Sequence, residues 1–236
     1  KFAMDNQPYV PKHHFPISIA GVKEGDFSMV MGYPGTTNRY LTSWGVKMAI
    51  EKDQPSRVAI RGLKLDIMKQ NMDKSDAVRI QYASTYAQVS NYWKYFIGQT
   101  EQLKKNNVLL KKVGIEQEFA GWITQDPKRK EKYGNVLKDI EDAYAVLEKY
   151  IGIRVYFTEA IYSLGTGRFM LRHAKLYTSL TDANPDQKII SEEIEKLKPF
   201  LDGHFTSIDW NTELELLSAM FSMYAKDVNK DQHPEE

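Results

Sequence analysis

Serine, threonine and histidine are the residues of this sequence that could support nucleophilic catalysis, because cysteine is absent. Such catalysis needs a nucleophile beside a base, and a third group must hold that base in place. No serine lies in a Gly-x-Ser-x-Gly elbow, and no histidine lies in a motif typical of a catalytic base. His13 and His14 precede a predicted strand, where a surface or packing role is favoured, and His173 is expected at the surface of a basic helix. The remaining histidines are His204 and His233. We therefore predict that the chain contains no catalytic residue.

Metal-binding and phosphate-binding patterns are also missing from the sequence. There is no His-Glu-x-x-His motif, no paired Glu-x-x-His and no Asp-rich calcium loop. Glu116 and Glu118 lie two apart on a predicted helix, so their side chains point to different faces. The stretch GTGR, residues 165–168, lacks the Lys-Ser/Thr ending of a phosphate loop and is better explained as a helix kink. We predict no metal site and no cofactor.

Charge and hydropathy argue against two classes of partner. The 32 basic and 31 acidic residues nearly cancel, and the lysine clusters are typical of solvated helix surfaces rather than of nucleic-acid binding. No window of the sequence has the apolar run that is needed to span a bilayer. The sequence therefore predicts neither a nucleic-acid partner nor a membrane span.

Residues 1–45 have the pattern of β structure. They are rich in proline and glycine, and residues 16–20 and 27–33 alternate or run apolar for the length of a strand. The stretch GVKEGD, residues 21–26, predicts a turn between these two strands, and residues 38–46 are compatible with a third. Two or three strands do not make a stable sheet by themselves. We expect this hairpin to need strands that lie outside the chain.

From about Val46 the apolar residues recur at helical spacing. We predict a helix that Pro55 starts or kinks, a second helix capped by Asp73 or Ser75, and a third that has Pro127 in its first turn. The chain is thus expected to be mainly α, with a helical bundle after a short β-hairpin.

Two of these helices carry a clear apolar stripe. The stripe of the second consists of Val78, Tyr82, Val89, Tyr92 and Phe96. Small residues on another of its faces would let a further helix approach closely: Ala83, Ala87 and Ser90. The stripe of the third consists of Tyr133, Val136, Ile140, Tyr144, Leu147, Ile151 and Val155.

Three long stretches of the sequence resemble one family of enzymes. They are GVKEGDFSMVMGYPGTTNRYLTSWGV, IRGLKLDIMKQNMDKSDAVRIQYASTYAQVSNYWKYFIGQ and LKKNNVLLKKVGIEQEFAGWI. These stretches closely resemble the bacterial dipeptidyl-peptidases seven and eleven, which are serine exopeptidases of peptidase family S46. The likeness runs through most of the chain and is strongest from about residue 10 to residue 122. Thr36 departs from the family, which usually has an arginine there, so that a guanidinium fork is lost at this turn.

The resemblance implies a fold and a place for the chain within a larger protein. In this family a chymotrypsin-like double β-barrel carries a Ser-His-Asp triad, and a helical domain caps the active-site cleft. By the resemblance, residues 1–45 are a remnant of the N-terminal barrel and residues 46–236 are the helical cap. The triad is then expected outside this chain, so that Asp5 is not the catalytic aspartate and the fragment alone is inactive. The intact parent is expected in the periplasm, secreted or at the bacterial cell surface, with a homodimeric state left open.

The resemblance also implies one substrate-binding residue. The helical domain of the family contributes an asparagine, within a SNYWK stretch, that helps to bind the free amino terminus of the peptide. Residues 90–94 match this stretch, and Asn91 is the matching residue. A carboxamide oxygen is suited to accept a hydrogen bond from an ammonium group. The residues alone also allow Asn91 to link two helices through their backbones, and Tyr92 and Trp93 are expected to pack in the core.

Two functions are compatible with these observations. In the first, the chain is the cap domain of a serine dipeptidyl-peptidase, which releases dipeptides from peptide N-termini by acyl transfer. In the second, it is a self-contained helical protein-binding module without peptidase activity. A serine-containing loop downstream and a histidine-containing barrel upstream in the reading frame would favour the first function.

Overall fold

The computed structural model describes residues 10–29, 31–32 and 35–233, except for the side chain of Asp202. The helices of this part are α1 Ser43–Met48, α2 Gln54–Lys74, α3 Asp76–Lys105, α4 Val108–Thr124, α5 Pro127–Tyr133, α6 Val136–Tyr156, α7 Gly165–Arg172, α8 Ala174–Thr181, α9 Gln187–Ser207 and α10 Trp210–Asp227. A first π turn, Ala49–Asp53, joins α1 to α2, and a second π turn, Phe157–Tyr162, follows α6. The predicted mainly-α class is confirmed, and no helix in the described ranges is long and apolar enough to cross a membrane.

The chain divides into two compact units, Lys1–Arg39 and Tyr40–Glu236. In the first unit the predicted turn is confirmed, because the backbone N–H of Asp26 donates to the carbonyl of Lys23 at 3.1 Å. Gly25 within this turn has a φ of 93°, a conformation that favours glycine. The described residues of this unit form no strand. The predicted strand at residues 27–33 includes positions 30 and 33, which lie outside the described residues.

The third predicted strand is wrong at its end, because residues 43–46 form the first turn of α1. The start of this helix is stabilised by a carboxylate from α4. The backbone N–H of Ser43 donates to Oε1 of Glu116 at 2.6 Å, and the Ser43 hydroxyl donates to Oε2 at 2.5 Å. A negative charge that accepts from the first N–H groups of a helix stabilises that helix end. Its source lies 73 residues away in the sequence, beyond the reach of a local pattern.

The predicted starts of three helices are confirmed. Pro55 lies in the first turn of α2, and Pro127 begins α5 after the N-cap Asp126. Ser75 caps α3, and its hydroxyl accepts from the backbone N–H of Val78 at 3.4 Å. These local signals are reliable because a cap or a helix-starting proline acts on its own turn.

α2 is the central helix of the larger unit, since it contacts α3, α6, α10 and the second π turn. Its buried apolar residues join those of the surrounding helices in one core: Ile60, Leu65, Met68, Met72, Val78, Tyr82, Val89, Ile151, Val155, Tyr156, Ala160, Leu164, Leu216, Met220, Tyr224 and Val228. Burial of this apolar surface is the main stabilising contribution to the helical unit.

The apolar stripe of α3 is buried only along its first half. Val78, Tyr82 and Val89 are buried against α2 and its neighbours, whereas Tyr92 is 53% exposed. The expected close approach of a further helix is wrong for the described structure, because Ala83 and Ala87 are exposed. The face of α3 that points away from α2 is therefore open around residues 83–91.

The third predicted helix is divided into several pieces. α5 ends at Tyr133 and α6 begins at Val136, after which the second π turn interrupts the helix again. The GTGR stretch forms the first turn of α7, where the backbone N–H of Thr166 donates to Oε1 of Glu213 at 2.9 Å. The negative charge that stabilises the start of α7 is therefore the Glu213 side chain of the same chain.

Replacing Glu116 by alanine is expected to lower the free energy of unfolding by about 1–2 kcal/mol, because the N–H of Ser43 and the start of α1 lose their acceptor. Urea denaturation followed by circular dichroism measures this change. Glu118→Ala is the matched control, since Glu118 is exposed on the same helix and should change stability by less than about 0.5 kcal/mol. Equal effects of the two substitutions would contradict a capping role for Glu116.

Candidate functional site

Asn91 lies near the middle of α3 on its open face. Its side chain is exposed and forms no hydrogen bond with any other described residue. Asn91 therefore does not link two helices within this part of the chain. Its carboxamide presents one acceptor and two donor hydrogens to the surroundings.

The turn of α3 that carries Asn91 is attached to α2 from the opposite side. Nε1 of Trp93 donates to the backbone carbonyl of Val58 at 3.2 Å. A Cβ atom on Gly62 would lie 3.4 Å from this same nitrogen, so the indole passes directly beside Gly62 of α2. The predicted packing role of Trp93 is confirmed, since this residue is partly buried against the core. The same prediction for Tyr92 is wrong, because its side chain is half exposed.

Besides Trp93, three aromatic rings follow Asn91 on α3: Tyr92, Tyr95 and Phe96. The centroids of Tyr92 and Phe96 are 6.2 Å apart, and those of Tyr95 and Phe96 are 5.3 Å apart. Two guanidinium groups of α2 lie over these rings. Arg61 is 5.4 Å from the centroid of Tyr92 and 5.7 Å from that of Phe96, and Arg57 is 5.4 Å from Phe96. Such cation–π contacts stabilise the pairing of the two helices, more so where water is excluded.

The two arginines share one carboxylate, that of Glu159 in the second π turn. Its side chain is only 7% exposed and lies beside both guanidinium groups. Arg57 Nη1 donates to Oε1, and Arg61 Nη2 donates to the same oxygen at 3.1 Å and lies 2.8 Å from Oε2. A buried carboxylate needs such partners, because the loss of hydration would otherwise make its charged form very unfavourable.

Lys64 lies on the same face of α2 as Arg57 and Arg61, and the three cations form a charged row along that face. Lys64 is bound at the end of this row. Its Nζ donates to the Ser163 hydroxyl at 2.6 Å and to the Glu159 backbone carbonyl at 3.2 Å. The pKa of Lys64 is lowered from 10.5 to about 8, chiefly because burial disfavours the charged form; the Glu159 carboxylate opposes this shift and the nearby Arg61 adds to it. The Ser163 hydroxyl itself donates to the Glu159 carbonyl, so the lysine–serine pair closes the π turn rather than exposing a nucleophile.

The described histidines of the larger unit lie apart from these residues. His13 and His14 are exposed, and His233 packs on Tyr224 with 5.2 Å between ring centroids. His173 and His204 both lie against Phe169, at 4.9 and 4.3 Å between centroids. Within the described ranges, no group of three or more His, Asp or Glu side chains is arranged to hold a metal ion.

The charged row was not predicted from the sequence, although two signals for it exist. Arg57, Arg61 and Lys64 recur at spacings of four and three, which places them on one face of a helix. Glu159 continues the apolar stripe of α6 at the spacing of Ile151 and Val155. A single acid in an apolar stripe indicates a buried carboxylate, and a basic row on another helix is its expected partner.

Comparison with known proteins relates the whole chain to one family. The sequence profile of the family Peptidase S46 matches residues 1–236. The chain is 42% identical over 160 residues to the Asp/Glu-specific dipeptidyl-peptidase of Flavobacterium psychrophilum, a match that covers 68% of this chain and 22% of that protein. It is 35% identical over 237 residues to dipeptidyl-peptidase 7 of Porphyromonas gingivalis, covering 100% of this chain and 32% of that protein.

A solved structure has a similar fold. It is the crystal structure of Porphyromonas endodontalis DPP11 in complex with the dipeptide Arg-Glu, with a TM-score of 0.72 and 25% sequence identity. The similarity covers 99% of this chain and 33% of that one. The matched parts thus cover between 22% and 33% of the length of these three relatives, and the chain spans about a third of the two that match it from end to end.

The lowered pKa of Lys64 is expected to make stability rise with pH. Between about pH 8 and pH 10.5 the unfolded chain holds this proton while the folded chain has lost it, so raising the pH favours the folded state. From pH 8 to pH 9.5 the gain should be about 1–2 kcal/mol. Urea unfolding at these two pH values measures it.

Lys64→Met is the control for this pH dependence, since it keeps the length of the side chain and removes its titration. The comparison stays below pH 10 because burial raises the pKa of Tyr82 and of Tyr156, whose ionisation favours the unfolded chain at higher pH. The same rise in stability in the wild type and in Lys64→Met would show that Lys64 is not its source.

Proposed function

Because this chain belongs to the peptidase S46 family, we propose that it is the helical part of a longer serine dipeptidyl-peptidase that releases dipeptides from peptide N-termini. Two relatives that it matches over almost its full length are named dipeptidyl-peptidase 7, and the match covers only 27% and 32% of their lengths. In this proposal the helical part walls the active-site cleft, while the Ser-His-Asp triad comes from barrel domains elsewhere in the protein. We place that protein in the periplasm, in secreted form or at the cell surface, by family resemblance alone.

We further propose that residues 1–45 belong to the N-terminal barrel and that residues 46–236 form the cap. The exposed apolar side chains of the first segment support this division. Their exposed fractions lie between 69% and 99%: Val10, Phe15, Ile17, Ile19, Val22, Phe27, Met29 and Met31. Apolar side chains at alternate positions are what a strand presents to a barrel core.

In the proposed enzyme Asn91 binds the amino terminus of the peptide. The observation that carries this assignment is that its carboxamide is exposed without a hydrogen-bond partner, on a turn that α2 holds from behind. The carboxamide oxygen can accept from the substrate ammonium, and acidic groups elsewhere in the enzyme would supply the countercharge. Binding of the terminus sets the distance to the scissile bond, so that cleavage follows the second residue.

Asn91→Ala in the full-length enzyme is expected to lower kcat/KM for a dipeptidyl reporter substrate by about ten- to a hundredfold, the range for losing a hydrogen bond to a charged group. Turnover of the des-amino analogue, which lacks the terminal amine, should not change. Steady-state kinetics with both substrates measure the difference.

Gln117→Ala is the matched control, because it removes an exposed amide from the neighbouring helix α4. It should leave both substrates unaffected. Unchanged turnover of the free-amine substrate by Asn91→Ala would remove Asn91 from the site, and a full-length protein without peptidase activity would overturn the proposed function as a whole.

A further inference from the structure

We propose that Glu159 is a positioning residue for recognition of the substrate amino terminus. In this proposal Glu159 holds Arg61 beneath Tyr92 and so fixes the turn of α3 that presents Asn91. The inference rests on the proposed role of Asn91 and extends it to a residue that cannot touch substrate, since the Glu159 side chain is only 7% exposed.

Glu159 reaches its place through the irregular backbone that follows α6. Val155 and Glu159 are four residues apart and both buried, so the carboxylate continues the inward-facing side of α6. The second π turn then carries the chain on to Ser163, whose hydroxyl donates back to the Glu159 carbonyl and accepts from Lys64. Lys64 also donates to that carbonyl. The backbone carbonyl and the side-chain carboxylate of Glu159 are therefore both bound by cations of α2.

Arg61 depends on Glu159 more than Arg57 does. Arg57 has a second carboxylate, since its Nε and Nη2 donate to Asp53 at 2.9 and 3.0 Å. Arg61 has Glu159 as its only acidic partner within the described residues, and its Nε is buried without a partner. Loss of the negative charge on Glu159 would therefore leave Arg61 as an uncompensated cation, which favours its displacement toward water.

The position of Arg61 determines what lies under the Asn91 turn. Its guanidinium is within cation–π distance of both Tyr92 and Phe96, one ring on each of two successive turns. Tyr92 directly follows Asn91, and its ring is already half exposed. Without the guanidinium beneath it, Tyr92 loses its charged partner, whereas Phe96 keeps Arg57 and Trp93 keeps its bond to the α2 backbone. The turn that carries Asn91 is then held less firmly on the side of Tyr92.

A displacement of this turn should weaken binding of the amine without changing the chemistry, because Asn91 contacts a part of the substrate that does not react. Such a change raises KM and leaves kcat nearly unaltered. A general loss of folding would instead lower the active fraction equally for every substrate.

The test uses the full-length enzyme with four variants: Asn91→Ala, Glu159→Gln, their combination, and the control Glu193→Gln. Glu193 is a fair match because its side chain is 9% exposed and also binds two cations, Lys175 at 3.2 Å and Lys196 at 2.8 Å, away from α3. We expect Glu159→Gln to raise KM for the free-amine reporter by about three- to tenfold while kcat changes by less than about twofold. KM for the des-amino analogue should not change.

The combined variant should bind the free-amine substrate no worse than Asn91→Ala alone, because both changes remove the same contact. An effect of Glu159→Gln that adds fully to that of Asn91→Ala, or that falls equally on the des-amino analogue, would overturn the inference. An effect of Asn91→Ala with none of Glu159→Gln would overturn the inference and leave the proposed function standing. No effect of Asn91→Ala would remove the proposed amine contact itself, and the inference with it.

Arg61→Lys provides a second route should Glu159→Gln fail to fold. A lysine keeps a positive charge beside Glu159 but has no planar guanidinium to lie over two rings. We expect the same selective rise in KM for the free-amine substrate from this variant. An unchanged KM in a folded Arg61→Lys enzyme would contradict the proposed link through Tyr92.

Discussion

A carboxylate buried between helices must be surrounded by groups that replace its water, and in this protein that requirement connects three parts of the chain. Glu159 comes from the second π turn, the cations that surround it come from α2, and the rings that cover those cations come from α3. Removing one member of such a set leaves another charge or polar group without compensation. Side chains of α2, α3 and the second π turn are therefore fixed together.

This arrangement gives α3 two different faces. The inner face is attached to α2 by Trp93, by the apolar residues Val78, Tyr82 and Val89, and by the guanidinium–ring contacts. The outer face carries exposed small residues and Asn91, whose carboxamide has no partner among the described residues. A polar group presented on a rigid support loses little conformational entropy on binding, which is what selective recognition of a small charged group requires. The proposed peptide-binding role of Asn91 uses this combination of a fixed inner side and an open outer side.

The sequence predicted those features that arise within a few residues of their cause. Ser75 caps α3 and Pro127 begins α5 as expected, because each acts on its own helical turn. The prediction failed where a distant residue decides the outcome, as when Glu116 stabilises a helix at residues that are also compatible with a strand. Arg61 and Glu159 are 98 residues apart, and no periodic pattern contains that pairing. Asn91 could be singled out only by family resemblance, since an exposed asparagine has no distinguishing pattern of its own.

Amide hydrogen exchange across residues 88–96 tests most directly whether the buried carboxylate holds the Asn91 turn in place. If Glu159 fixes this turn through Arg61, exchange in Glu159→Gln should become faster in residues 88–96 and in the part of α2 that faces them, while α9 keeps its native rates. Native exchange rates at residues 88–96 in a folded Glu159→Gln protein would contradict the account. A uniform increase that includes α9 would equally contradict it, because it would show a general loss of stability instead of a local attachment.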